Sequence, residues 1–465
     1  MDYLRRFASW LDRPLFPWKR LVMSFSLGHF ALENYIAWRQ YRVLCQTKVP
    51  KALESEIDQK TYDKSQAYGR AKAKFGLVSG IWGQTKEMAI IYYNLYPKLW
   101  SLAGVGLTYI LPASWRGEIT QSLLFIFAYS FAETILSLPL SYYHTFVLEE
   151  HYGFNKQTLG LWISDMLKGQ ALGIAFGVPL GSAFLWIIQR TGDVFFAYIW
   201  LFMLAVQIVG VTIYPVFIVP LFNKLTPLEP GPLREKVEAL AEKLKFPLSE
   251  LQVIDGSKRS AHSNAYFTGL PFLKKKIVLY DTLIEKSEDR EVEAVLAHEL
   301  GHWSLGHVPR LLLISQVQTF YIFLLFSVFI RNKSMYTDFG FTKEQPIIIG
   351  LILFNGILSP TEPVIQLLMH MLTRKYEYEA DAFSKRLNYS YDLGRSLIKL
   401  QVQNLSTMDA DWMYSSYHYS HPILTERLRA IGWERQKDGA EADKKQTDGD
   451  LDAYTKADRA SGREL

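Results

Sequence analysis

The 465-residue sequence has one cysteine, Cys45, so no internal disulfide framework can staple it, which suits a soluble part facing a reducing compartment. No cleavable signal peptide is expected. Arg5, Arg6, Asp12 and Arg13 interrupt the first stretch, and the first long apolar block, from about Leu21, reads as a retained span. Charge of one sign is also scarce: 51 Lys and Arg against 46 Asp and Glu leave a net charge of only +5. No basic cluster is interleaved with aromatic residues, so a nucleic-acid partner is excluded from the reading.

What is present is segregation. The chain is 49% hydrophobic and 14% aromatic, averages that hide long apolar blocks alternating with charged ones. About seven blocks approach the length of a bilayer span. They run near Leu21 to Trp38, Tyr93 to Leu111, Gln121 to Tyr143, Gly169 to Ile188, Phe195 to Phe222, Leu311 to Ile330 and Ile347 to Leu372. Several carry polar groups at membrane depth: Glu33, Asn34, Glu133, Gln207, Asn355, Glu362, Gln366 and His370. Such groups are costly in hydrocarbon, so they face either helix partners or a wet interior. The charged stretch 39–92 reads as a cytosolic insert. The positive-inside rule puts it and the segment near residue 298 in the cytosol and the N-terminus in the lumen, against the pull of Arg5, Arg6, Arg13, Lys19 and Arg20. Asn332-Lys333-Ser334 is a glycosylation sequon in a lumenal turn.

The strongest chemical signal is EVEAVLAHELGHWSLGH, Glu291 to His307, in which His298, Glu299 and His302 form H-E-x-x-H. Two histidines four apart on a helix share a face, so their imidazoles can meet on one divalent ion, and zinc takes such ligands readily. Glu299, one residue on from His298, is placed to take the proton of an attacking water. Ser287, Glu288, Asp289 and Glu291 supply an N-cap candidate and an acidic first turn, and Val292, Val295 and Leu296 recur at helical spacing. His307 falls off the ligand face and reads as a surface or packing residue.

A third ligand is available in KYEYEAD, where Glu377 and Asp381 share a helical face. Glu377 would complete a His, His, Glu set and Asp381 would hydrogen-bond a ligand histidine. A solvated acidic face is the plain alternative for Glu377 and Glu379, weakened by the neighbouring motif.

The soluble domain is expected in two parts. In 223–309, Pro232 to Leu244 reads as an amphipathic helix and Leu251 to Asp255 and Ile277 to Asp281 as strands. Ser263 to Thr268, holding Asn264, Ala265, Tyr266 and Phe267, reads either as an ordinary strand and turn or as an edge strand able to pair with an extended substrate. In 373–433, a helical run continues to Leu400 and is followed by YSSYHYSHPILTERL, in which His421 and Arg427 could donate to an oxyanion. Residues 1–222 would hold spans one to five, 310–372 spans six and seven, and 434–465 a polar, disordered tail.

Together LPLSYYHTFVLEE (Leu138 to Glu150), GFNKQT (Gly153 to Thr158), IDGSKRSAHSNAYFTGLP (Ile254 to Pro271), VLAHELGHW, EYEAD and SSYHYSHPILTERL resemble the type I CaaX prenyl endopeptidases, over roughly Pro17 to Trp433. The resemblance implies an all-α polytopic membrane protein, about seven transmembrane helices around a large internal chamber. A gluzincin-like zinc protease domain with a small β-sheet would face the cytosol. It implies one zinc per chain on His298, His302 and Glu377, Glu299 as the catalytic group, and Asp381 behind the ligands. Asn264 to Phe267 would bind substrate, and His421 and Arg427 would assist catalysis. The implied partners are isoprenylated CaaX proteins and the lipid bilayer, in the endoplasmic reticulum with extension to the inner nuclear membrane. The implied reaction removes the aaX tripeptide, with room for a second, upstream cut in a mating-pheromone precursor. The tail, ending SGREL, lacks the terminal dilysine of some members. Two rival readings remain, a site-2-type intramembrane protease and a non-catalytic zinc-containing scaffold or channel.

Overall fold

In a bilayer the backbone must satisfy its own hydrogen bonds, so the long apolar blocks become helices. The structure, a computed structural model, describes residues 2–269 and 274–433. Its long helices are α1 (Trp18–Leu44), α2 (Gln59–Tyr92), α3 (Leu95–Ile110), α4 (Glu118–Tyr143), α5 (Leu159–Thr191) and α6 (Phe195–Ile213). Strands β1 (Leu225–Pro227), β2 (Leu248–Ile254), β3 (Ala265–Thr268) and β4 (Lys275–Tyr280) follow, with α7 (Pro232–Lys243) between the first two. Then come α8 (Asp289–Ser304), α9 (His307–Phe329), α10 (Ile347–Leu358), α11 (Glu362–Arg386), α12 (Ser390–Gln403), α13 (Trp412–His418) and α14 (Leu424–Ile431).

Four stretches, Glu118–Tyr152, Leu159–Phe222, His307–Phe329 and Ile347–Arg386, are long and apolar enough to cross a membrane. The second folds back on itself at Gly192, whose φ of 59° admits the turn between α5 and α6. Packing neighbours run α1, α2, α3, α4, α5, α6, α9, α10 and back to α1, which closes a ring. One end of that ring is sealed by a single apolar cluster that includes Trp18, Trp100, Phe125, Leu185, Ile199, Phe326 and Phe354. Only 6% of the most apolar window of Glu118–Tyr152 and 11% of that of Leu159–Phe222 is buried, so these helices do not form a solid bundle.

The stretch 39–92, expected as a charged insert, is largely helical. Most of it is α2, whose second half lies along α1 and α4: Ser26 donates to Glu87 at 2.7 Å and Lys86 pairs with Glu133. α2 and α3 form one path kinked at Asn94, where φ is 52°, a conformation asparagine tolerates. Most of the other polar groups of the spans are also bonded. Asn34 bonds the carbonyl of Phe30, Gln316 donates to Gln207, and Gln366 and His370 reach the carbonyl of Tyr417. Asn332 is buried and caps the helix Lys333–Asp338 through Met335 N at 2.9 Å, so its sequon is closed to a glycan.

The sheet order is β1-β2-β4-β3, with β2 and β4 parallel and the outer pairs antiparallel. β3 is therefore an edge, in register Ala265 opposite Leu279 and Thr268 opposite Lys276. One face of the sheet packs on α7 and α8 through Val237, Leu240, Leu251, Ile277, Leu296 and Leu300. The expected boundary near residue 372 falls inside α11, which runs unbroken from the ring into the protease part. The helical run expected to reach Leu400 breaks after Arg386, where Asn388 takes φ 68°, and resumes as α12. The tail 434–465 and the Pro271 end of the SNAYFTGLP motif lie outside the described residues.

Candidate active site

α8 starts with a reciprocal cap at Glu288, one residue beyond Ser287: the Glu288 side chain faces the first-turn amide of Glu291, and the Glu291 carboxylate accepts from Glu288 N at 2.9 Å. Val292, Leu296, Ala297 and Leu300 occupy the face buried against the sheet, which turns His298 and His302 toward α11. Gly301 sets how close α11 can come. A Cβ there would sit 3.1 Å from Phe383 Cβ and 3.2 Å from Ala380 Cα, tight enough that α11 would have to move back by a few tenths of an ångström.

Across that contact three ligand atoms converge. His298 Nε2 and His302 Nε2 are 3.2 Å apart, Glu377 Oε1 is 3.2 Å from His302 Nε2, and Glu377 Oε2 is 3.4 Å from His298 Nε2. A tetrahedral zinc with bonds of about 2.0–2.1 Å holds its ligand atoms roughly 3.3 Å apart. Glu377 Oε2 is buried and accepts no hydrogen bond. Two imidazoles and a carboxylate with an unused buried oxygen fit a metal ion of that size.

The surrounding groups hold this set in place. Asp381 Oδ1 is 2.8 Å from His298 Nδ1, which fixes the tautomer that points Nε2 into the site. Arg427 on α14 grips the same carboxylate with Nε at 2.8 Å and Nη2 at 2.6 Å. Burial disfavours a proton on His298, but Asp381 and Glu377 overcome it and raise its pKa to about 9. Burial likewise raises Glu299, with His298 and His302 opposing, which makes its carboxylate a stronger base. Among the described residues Glu299 has no hydrogen-bond or ion-pair partner, so its oxygens are available to a substrate or water.

His421 is exposed, with Nε2 3.3 Å from Glu377 Oε1 and Nδ1 held by Ser420 at 2.9 Å. Arg427 is already occupied by Asp381; only Nη1, 3.6 Å from Glu377 Oε2, faces the site. Asn264 is exposed just before the free edge, its Oδ1 accepting from Ala265 N at 2.8 Å and its carbonyl from Tyr280 N at 3.1 Å. Ala265 and Phe267 pack on the α8 side of the sheet and Tyr266 on the other, against Ile254 and Val278. What these residues can offer a ligand is the backbone of β3, which contacts α8.

His307 is the residue that sequence reasoning missed. It is buried, with Nδ1 2.9 Å from His302 Nδ1, Nε2 3.0 Å from Glu379 Oε2, and its ring stacked 4.1 Å over Tyr376. The turn at Gly306, with φ 67°, folds α9 back so that a side chain five residues on meets the helix end. The signal that could have found it is that glycine between two histidines.

Two families match in tandem. Residues 40–224 match one described as CAAX prenyl protease N-terminal, five membrane helices, and residues 227–434 match peptidase family M48. The chain is 48% identical over 443 residues to CAAX prenyl protease 1 of Saccharomyces cerevisiae, covering 92% of this chain and 98% of that protein. It is 40% identical over 451 residues to the CAAX prenyl protease 1 homolog of Homo sapiens, covering 88% of this chain and 94% of that one. The crystal structure of S. mikatae Ste24p aligns with a TM-score of 0.85 at 48% identity, over 90% of this chain and 100% of that chain.

Proposed function

The chain belongs to peptidase family M48 and, within it, to the CAAX prenyl proteases, and on that premise we propose how its residues cut an isoprenylated CaaX protein after the modified cysteine and release the last three residues. The observation that carries this is the convergence of His298, His302 and Glu377 at 3.2–3.4 Å on the side of the helix that bears Glu299.

His298, His302 and Glu377 would hold one zinc ion. Bound there, zinc polarises the scissile carbonyl and makes water acidic enough to attack near neutral pH. Glu299 takes the proton of the attacking water and returns it to the departing amine. Asp381 keeps His298 aimed at the site, and Arg427 keeps Asp381 charged and in position. His421 and Nη1 of Arg427, each beside Glu377, would donate to the negative charge that builds on the carbonyl oxygen. The edge of β3 after Asn264 pairs with the extended substrate backbone, which positions the bond while reading little sequence. Membrane insertion brings the enzyme to lipid-anchored substrates, and the endoplasmic reticulum, with the protease part toward the cytosol, is the compartment we assign. His298, Glu299 and His302 lie on a helix packed against a sheet and outside the apolar stretches, which leaves a site-2-type reading without support.

The test is a detergent-purified sample with a farnesylated CaaX peptide, with and without a chelator. Release of the tripeptide that stops with chelator and returns with zinc supports the proposal. Activity indifferent to chelator refutes it.

A further inference from the structure

Between α5 and α6 runs a groove of about 1070 Å³, large enough for a lipid-like chain. Its walls are almost wholly apolar, with Phe176 and Leu180 on α5 and Phe202 and Val206 on α6. One mouth is formed where the chain after α6 widens into a π-helical turn at Tyr214–Ile218, a distortion often found at ligand sites. Among the described residues, the lining residue from the protease part is Thr268, the last residue of β3.

Two of the groove's lining residues are glycines, Gly173 and Gly210. A Cβ at Gly173 on α5 or Gly210 on α6 would meet nothing within 4 Å, so neither exists to let helices approach. Gly177 and Gly181, on α5 too, are different: Phe127 lies 3.2 Å from a Cβ at the first and Leu123 3.0 Å at the second, so these serve packing. A glycine inside a helix destabilises it relative to alanine, and at Gly173 and Gly210 no packing gain offsets that.

We propose that this groove seats the isoprenoid chain of the substrate. The peptide pairs with the free edge of β3, and the thioether-linked chain leaves the strand end at Thr268 and lies between α5 and α6, against Phe176 and Phe202. Bilayer lipid is the competing occupant, but lipid alone would not account for a groove that begins at the end of the substrate-pairing strand. The inference rests on the CaaX reading above and adds the place of the lipid moiety.

The experiment uses the full-length protein with Gly173→Leu and Gly210→Leu, and zinc content as the check on folding; Gly173→Ala and Gly210→Ala serve as milder versions. KM and kcat are measured for one CaaX peptide carrying farnesyl or the longer geranylgeranyl chain. The leucine variants should raise KM for the geranylgeranyl peptide at least tenfold, the farnesyl peptide less, with kcat little changed. Equal effects on both peptides, or none, overturn the proposal. Independently, a farnesylated peptide with a photoreactive isoprenoid is cross-linked to Glu299→Gln protein and mapped by mass spectrometry. Labels on α5 and α6 support it; labels confined elsewhere, or a co-purified phospholipid in the groove that the peptide does not displace, overturn it. If the unaltered protein cleaves neither peptide, the functional reading falls first and this one with it; if it cleaves both and only the groove tests fail, the functional reading stands.

Discussion

His302 Nδ1 lies 2.9 Å from His307 Nδ1, and His307 Nε2 lies 3.0 Å from Glu379. When His302 offers Nε2 to a metal its Nδ1 carries the hydrogen, which His307 accepts, while His307 donates from Nε2 to Glu379. His302 is thus oriented by a second histidine as His298 is by Asp381. Replacing His307 by Phe keeps a ring against Tyr376 and removes the bond. Zinc affinity, measured by competition with a chelator, should fall about 10–100-fold. Unchanged affinity would show His307 to be packing only.

Glu299→Gln preserves shape and removes the base. Zinc content by elemental analysis should stay at one per chain, while turnover of a farnesylated peptide drops by about 10²–10⁴-fold or more. Normal turnover in this variant refutes the role given to the carboxylate.

His302→Ala and Glu377→Ala each remove one of three ligands, so purified protein should lose its metal. Zinc that binds only the folded state adds about 2.7 kcal/mol at a hundredfold excess over its dissociation constant. Added zinc should therefore raise the Tm of chelator-treated protein and leave that of either variant unchanged.

Gly301→Ala inserts a methyl against the backbone of Ala380, 3.2 Å away, which cannot rotate aside. Overpacking of this kind costs about 1–3 kcal/mol, and here it also separates the histidines from Glu377. Zinc affinity should fall together with thermal stability; a variant with full affinity would mean the helices shift without cost.

Asp381→Asn leaves Arg427 charged and buried, its side chain 11% exposed, without its carboxylate. Losing one partner of a buried pair costs about 3–5 kcal/mol. Adding Arg427→Met should restore part of the lost stability in denaturant unfolding while activity stays low, because His298 has lost its support. A double variant no more stable than Asp381→Asn would show that the ion pair is not what holds this corner.

Much of the site was legible in the chain. H-E-x-x-H and EYEAD each place two groups one helical turn apart, and α8 and α11 carry them on single faces. Of the two readings left open for Ser263 to Thr268, the sheet order makes β3 an edge strand. What the chain hid are partnerships between distant residues. That Lys86 pairs with Glu133 and Glu87 with Ser26 on neighbouring helices could not be read from local spacing. Nor could the grip of Arg427 on Asp381, which leaves Nη1 as the part of that side chain turned to Glu377. The sequon at Asn332 looked open until the asparagine proved to be a buried cap.

From the amino acids alone came the elements and the chemistry at short range, because helical periodicity brings residues i and i+4 together whatever the rest of the molecule does. Only the tertiary structure decided which helices meet: that Gly301 lets α11 approach α8, that Gly306 returns His307 to His302, and that the spans close a ring. Those outcomes depend on contacts between residues tens to hundreds of positions apart, where van der Waals fit and charge pairing, not local spacing, choose the partner.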